Sequence, residues 1–92
     1  MLEKVRLALR ITTTAFDSEL SDLINAAYAD LGIAGVVNTE STDPIIIRAV
    51  TTYCRMNFGE VSDYDRLKAS YDEQKAQLSM ASGYTDYSML EA

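Results

Sequence analysis

Apolar residues recur with a helical period in four stretches of the chain, and polar segments separate these stretches. In the first stretch, Leu2, Val5 and Leu9 share one face, which predicts a helix of one or two turns. The second stretch runs from about residue 16 to residue 31, and its apolar side chains fall within an arc of about 100°. This pattern is typical of an amphipathic helix with one buried face.

The second stretch also carries boundary signals. Thr13 or Thr14 is the expected N-cap, because a side-chain hydroxyl can accept a hydrogen bond from a free backbone amide of the first turn. Gly32 is the expected end of the helix, since glycine often follows the last helical turn. The following segment, residues 33–42, is polar in its second half and predicts an exposed loop.

The third stretch has the strongest boundary signals, with Asp43 at the N-cap, Pro44 at the first helical position and Gly59 just past the end. The three isoleucines at 45–47 would also suit a β-strand, but the caps and the length favour a helix. Apolar residues span about 220° of this helix, so we expect it to be the central core helix. Its polar residues form a single stripe of Arg48, Thr51, Thr52 and Arg55.

The fourth stretch, from about residue 63 to 81, has an apolar seam only about 60° wide, which suits a long helix that leans on one neighbour. Lys68 with Asp72, and Asp72 with Lys75, are spaced for ion pairs on its exposed side. The expected fold class is therefore all-α: a small helical domain of three main helices plus a short N-terminal helix, with the longest helix C-terminal.

The charge of the chain argues against several classes of partner. The chain has 14 acidic and 8 basic residues, a net charge of −6, and no two adjacent basic residues. This composition argues against a surface that binds nucleic acid or anionic lipid. No stretch approaches the roughly 18 consecutive apolar residues that a membrane span needs. Charges also interrupt the N-terminal segment where a signal peptide would be apolar, so we expect a cytoplasmic origin and no membrane partner.

Few side chains could carry out catalysis. The sequence has one cysteine, Cys54, and no histidine, which removes Ser-His-Asp and Cys-His arrangements and the usual zinc sites. Cys54 falls within the apolar arc of the third helix, so it is expected to be a small buried apolar residue and not a reactive thiol. The carboxylates mostly lie on predicted solvent faces. We therefore expect no enzyme activity, no cofactor and no metal.

Arg48 and Arg55 lie seven residues apart on one stripe of an otherwise apolar helix. One interpretation is a surface stripe with ion pairs to acidic residues of a neighbouring helix. The other places both arginines at a subunit contact, where arginine is enriched. The spacing alone leaves both interpretations open.

Residues 1–83 are expected to form the single domain and residues 84–92 a C-terminal tail. The tail contains two tyrosines, a methionine and a leucine, although a tail without a partner is usually more polar. It is therefore either a disordered end or an anchor that becomes ordered on a partner. The candidate interface residues of the whole chain are Arg48, Arg55, Tyr84, Tyr87, Met89 and Leu90.

The order of the segments resembles a known family. The segments that carry the resemblance are Val5–Ile11, Phe16–Ala27, Ala29–Ile33, Asp43–Val50, Tyr53–Gly59, Asp65–Leu67 and Ser70–Ser79. In this order they are similar to the head–tail connector, or head-completion adaptor, proteins of tailed bacteriophages and prophages. The likeness covers nearly the whole chain and rests on the ordered set of segments, because none of them is a specific motif by itself.

The resemblance implies a structural adaptor that forms a ring, a cyclic homo-oligomer, beneath the portal protein. Such a ring extends the DNA channel and offers a platform to the next connector or tail protein. Double-stranded DNA passes through it without specific binding, which suits an acidic channel that repels phosphate. The implied location is the virion neck, after synthesis in the cytoplasm of the bacterial host. A contact between the tail, residues 84–92, and the portal is a further hypothesis.

The alternative is a small helical DNA-binding regulator or packaging subunit. Such a protein needs a basic recognition helix, and neither the third nor the fourth helix supplies one. A small enzyme or a chaperone-like factor is a third class, for which the residue content offers little support.

Overall fold

The computed structural model describes residues 1–59 and 61–85, and these form four α-helices and no strand. The helices are α1 (Leu2–Ala8), α2 (Asp17–Ile33), α3 (Pro44–Asn57) and α4 (Tyr64–Met80). The prediction of an all-α domain with a short N-terminal helix is confirmed. The C-terminal helix α4 has 17 residues and shares the greatest length with α2.

The core lies around α3, as the width of its apolar arc predicts. Helix α3 packs against both α2 and α4, while α1 lies against α2 and α3. Ile46, Ala49, Val50 and Cys54 on α3 are fully buried. Full burial of a valine or isoleucine side chain contributes about 1.5–3 kcal/mol, so Ile46 and Val50 make this helix a substantial part of the core.

The end of α2 differs from the prediction. The helix passes through Gly32 and ends after Ile33, and the left-handed residue is Gly35, with φ of 92°. The Val36 amide donates to the Leu31 carbonyl over 2.9 Å, and the Gly35 amide donates to Gly32 over 3.0 Å. These two bonds form a Schellman motif. Gly32 was therefore the wrong stop, because a glycine ends a helix only where the chain adopts the left-handed conformation.

The start of α2 also differs from the prediction. Phe16 occupies the N-cap position and makes no side-chain capping bond. The Thr13 hydroxyl instead accepts a hydrogen bond from the Ala15 amide, within the preceding turn. The expected threonine cap is therefore wrong, and α2 begins one turn later than a Thr13 cap would place it.

The boundaries of α3 are confirmed. Asp43 Oδ1 accepts a hydrogen bond from the Ile45 amide over 2.8 Å, Pro44 is the first helical residue, and Gly59 follows the helix with φ of 68°. The predicted polar stripe needs one correction. Thr52 is only 8% exposed, and its hydroxyl donates to the Arg48 carbonyl over 2.9 Å. This internal bond satisfies the hydroxyl and lets Thr52 pack as an apolar residue.

A polar cluster joins α4 to α2. Asp30 Oδ2 accepts hydrogen bonds from the Tyr71 hydroxyl, at 2.6 Å, and from Lys75 Nζ, at 3.1 Å. The predicted Asp72–Lys75 pair is therefore wrong, because Lys75 reaches across to α2. The Lys68–Asp72 pair is confirmed at 2.8 Å.

The same cluster shifts the ionisation of its members. Burial opposes the charge on Asp30, but the hydrogen bonds from Tyr71 and Lys75, together with the charge of Lys75, outweigh burial and lower the pKa of the Asp30 carboxyl. Burial, then the hydrogen bond to Asp30, raises the pKa of the Tyr71 hydroxyl. At neutral pH the cluster is thus a carboxylate held by two donors.

Candidate functional site

A groove of about 660 Å³ lies between α1, α3 and α4. Its charged lining consists of Lys4 from α1 and Arg48 and Arg55 from α3, and no acidic residue lines it in the part of the chain that the structure describes. Apolar side chains from all three helices cover much of the remaining wall: Leu7, Pro44, Ile47 and Leu67. We call this concavity the cationic groove.

Half of the basic residues form ion pairs within the chain. Arg6 Nε lies 3.1 Å from Asp17 Oδ1, Arg66 pairs with Asp63, Lys68 pairs with Asp72, and Lys75 pairs with Asp30. Among the described residues, the basic side chains outside these pairs are Lys4, Arg10, Arg48 and Arg55. Three of these four line the cationic groove, so basic side chains that form no ion pair with the described residues lie together on one face of an acidic protein.

Arg55 also has a role within the chain. Its guanidinium donates to the Ala8 carbonyl over 3.0 Å, at the end of α1. A cation suits this position because the carbonyls of a last helical turn carry partial negative charge. This contact ties α3 to α1 and fixes one end of the groove.

Arg48 is exposed, and within residues 1–59 and 61–85 no carboxylate lies at ion-pair distance from it. Glu73 lines a smaller depression beside it, together with Gln74 and Gln77 of α4. The structure therefore brings the two predicted arginines into one groove. The assignment of Arg48 and Arg55 to a subunit contact stays a prediction.

The contributions of α1 and α4 to this groove do not follow from the sequence pattern. Lys4 and Leu7 lie outside the Leu2–Val5–Leu9 face that the periodicity identified, and Leu7 is 78% exposed. The available signal in the sequence was a leucine outside the predicted apolar face, three residues after Lys4. It was weak, because single exposed leucines are common in soluble proteins.

The chain after α4 returns to the loop between α2 and α3. The Tyr84 carbonyl accepts hydrogen bonds from the amides of Val37, at 2.8 Å, and Asn38, at 3.1 Å. The Asn38 side chain donates to the Gly83 carbonyl over 2.7 Å. Thr85 is buried. Tyr84 and Thr85 therefore pack against the rest of the chain although they lie beyond the predicted boundary between residues 83 and 84. The division into a domain of residues 1–83 and a tail of residues 84–92 stays a prediction.

Tyr84 also reaches the cap of α3. Its hydroxyl donates to Asp43 Oδ2 over 2.9 Å. This bond, followed by the one from the Ile45 amide, lowers the pKa of the Asp43 carboxyl. The same hydrogen bond raises the pKa of the Tyr84 hydroxyl. The predicted interface residues Tyr87, Met89 and Leu90 lie outside the described residues.

Cys54 lies in the core with no exposed surface, and burial raises the pKa of its thiol to about 12. It is the buried apolar residue that the sequence predicted, because a protonated, inaccessible thiol does not react. In residues 1–59 and 61–85 no group of three His, Cys, Asp or Glu side chains is placed to hold a metal ion. No helix in those ranges has the length and apolarity that crossing a membrane requires.

Comparison with known protein families identifies a relationship. A family model described as a phage connector protein matches residues 1–85. The matched range contains all four helices, the three cations of the groove and the Tyr84 contact with Asp43. No curated protein and no solved structure matches the chain at a significant level.

Proposed function

Because this chain belongs to the phage connector protein family, we propose that it assembles as a ring beneath the portal protein of a phage or prophage. In this position the ring extends the DNA channel and offers a platform for the next neck or tail protein. The family is structural, so the chain has a structural role in the head–tail connector and is a component of the virion neck. Its synthesis in the cytoplasm of the bacterial host is part of the proposal.

The single observation that carries the proposal is the family match over residues 1–85. The physical properties of the chain support it. Binding to other proteins requires a surface that can form new contacts, and the cationic groove offers three basic side chains with no acidic residue among its described lining residues. The net charge of −6 suits a channel component that lets duplex DNA pass without specific binding.

The proposed contacts of the ring involve the groove and the C-terminal segment. We assign Arg48 and Arg55 to a contact between subunits and residues 84–92 to a contact with the portal. Tyr84, Tyr87, Met89 and Leu90 carry the apolar content of this segment. Deletion of residues 86–92 keeps the bonds of Tyr84 to Asp43 and Val37, so it separates portal binding from folding. Unchanged portal binding after this deletion argues against the tail contact.

The decisive experiment is electron microscopy of the purified chain mixed with its portal. We expect a ring of added density on the portal. Sedimentation velocity of the chain alone, at several concentrations, then shows whether the ring forms without its template, and we expect monomers. A chain that neither binds the portal nor associates with itself would contradict the proposed function.

A DNA-binding regulator or packaging subunit is the second candidate, and the three cations of the groove are the observation that favours it. These cations lie in a concavity between α1 and α4, whereas recognition of a major groove needs a protruding helix. A gel shift with duplex DNA at low salt separates the two candidates. Tight binding would favour the regulator.

A further inference from the structure

The four helices differ sharply in charge. By sequence, α2 carries four acidic residues and no basic residue, whereas α3 carries two arginines and no acidic residue. Helix α4 has three residues of each sign, and α1 has one acidic and two basic residues. Among the four helices, α2 is therefore the most negatively charged, and net positive charge lies on α1 and α3, which line the cationic groove.

Two of the four acidic residues of α2 are used inside the subunit, since Asp17 pairs with Arg6 and Asp30 with Lys75. The other two, Glu19 and Asp22, are exposed and form no ion pair within the described part of the chain. They lie three residues apart and so project from neighbouring positions on the helix surface.

The exposed side of α2 continues from Asp22 along residues with short side chains. Asn25, Ala29 and Gly32 follow at intervals of three or four residues, and all are exposed. An added Cβ at Gly32 would meet no atom within 4 Å. We call Glu19, Asp22, Asn25, Ala29 and Gly32 together the α2 face. Short side chains let a second helix approach to about 8–10 Å between axes.

The two surfaces belong to different parts of the subunit. The groove is lined by residues of α1, α3, α4 and Thr42, and none of its lining residues belongs to α2. A contact that joins the groove of one copy to the α2 face of the next is heterologous, because the two copies contribute different surfaces. Heterologous contacts generate rings when the rotation between copies closes.

From this charge separation and geometry we infer that the cationic groove of one subunit receives the α2 face of a neighbouring copy, with Lys4 and Arg48 opposite Glu19 and Asp22. This inference rests on the proposed ring and names the surfaces that build it. The exposed Leu7 at the groove supplies apolar area that the contact would bury. Helix α4 is a poorer occupant, because its acidic residues alternate with Arg66, Lys68 and Lys75.

Charge reversal with rescue tests the inference on the full-length chain bound to its portal. We expect Arg48→Glu alone and Asp22→Arg alone each to weaken ring formation by about tenfold or more, because each places like charges opposite one another. The double variant, Arg48→Glu with Asp22→Arg, restores opposite charges at every contact and should recover ring formation. Electron microscopy and sedimentation measure the fraction of chains in rings.

Two controls keep the result specific. Asp65→Arg changes the net charge as Asp22→Arg does but lies on α4, and it should leave the ring intact. Ala29→Gln adds a bulky, helix-compatible side chain to the α2 face, so it should block the ring without changing the charge. Circular dichroism of every variant checks that the subunit remains folded.

Each other outcome contradicts the inference. If the wild type and both single-reversal variants form rings equally well, the groove does not bind the α2 face, and the proposed function remains in place. Loss of portal binding with Arg48→Glu, without rescue by Asp22→Arg, would assign the groove to the portal. Duplex DNA binding that Arg48→Glu abolishes would assign it to nucleic acid. Absence of any wild-type ring would instead contradict the proposed function itself.

Discussion

Tyr84 and Asp43 lie 41 residues apart in sequence and share one hydrogen bond, from the Tyr84 hydroxyl to Asp43 Oδ2. The other oxygen of the same carboxylate caps α3 by accepting the Ile45 amide proton. One side chain therefore starts the central helix and holds the segment that follows α4. The position of Tyr84 is thereby coupled to the cap of the core helix.

This coupling predicts that two substitutions destabilise the fold to different extents. Tyr84→Phe removes the hydroxyl and keeps the α3 cap, so it should lower the urea midpoint of unfolding slightly. Asp43→Ala removes both bonds and should lower the midpoint more. Tyr64→Phe is the matched control, because its hydroxyl makes no protein hydrogen bond in the described structure. Equal effects of Tyr84→Phe and Asp43→Ala would contradict the shared role of the carboxylate.

The Asp30 cluster predicts a pH dependence of stability. The folded pKa of Asp30 lies below its unfolded value of about 4, so its charge stabilises the fold above that pH. The stabilisation is lost as the pH falls through the folded pKa. The difference in unfolding free energy between wild type and Asp30→Asn should therefore shrink from pH 7 to pH 2. Chemical denaturation across this range measures it, and a constant difference would contradict the assignment.

Removal of the Tyr71 hydroxyl tests the same cluster at neutral pH. Tyr71 is 2% exposed and donates to a carboxylate, so Tyr71→Phe should cost about 1–2 kcal/mol of unfolding free energy. In a chain that already carries Asp30→Asn, Tyr71→Phe should lower the unfolding free energy by less, because the partner charge is already absent. Strict additivity in this cycle would show that the two groups do not interact.

The environment of Cys54 predicts resistance to alkylation. Burial and a thiol pKa raised to about 12 leave almost no accessible thiolate in the native protein at pH 8. Iodoacetamide should add no mass to the folded chain and one adduct to the chain unfolded in urea. Mass spectrometry detects both states, and rapid labelling of the native protein would contradict the buried position.

Two of the left-handed residues that follow helices, Arg10 and Gly35, predict opposite effects on stability. Arg10 follows α1 with φ of 60°, a conformation that costs a residue other than glycine about 1 kcal/mol. Arg10→Gly should therefore stabilise the fold by about 0.5–1 kcal/mol. Gly35→Ala, at φ of 92°, should destabilise it by about 1 kcal/mol or more. Thermal unfolding compares them, and a destabilising Arg10→Gly would indicate that the arginine side chain contributes contacts of its own.

Local sequence patterns were sufficient to locate the four helices and the clearest of their ends. Apolar periodicity located all four helices, and Asp43, Pro44 and Gly59 marked α3 correctly, because a cap acts on the backbone of its own turn. The resemblance to phage connectors was also available from the order of segments, and the family match confirms it.

Contacts between side chains of different helices depended on how the helices pack in three dimensions. Gly32 and Gly35 are both glycines near the end of α2, and local sequence does not distinguish them. In the fold, Gly35 is the residue that adopts the left-handed conformation. Lys75 has Asp72 nearby in sequence, yet α2 places Asp30 closer. The cationic groove likewise joins Lys4 to Arg48 across more than forty residues. Such contacts depend on how helices pack, and packing is a property of distant residues that no local pattern contains.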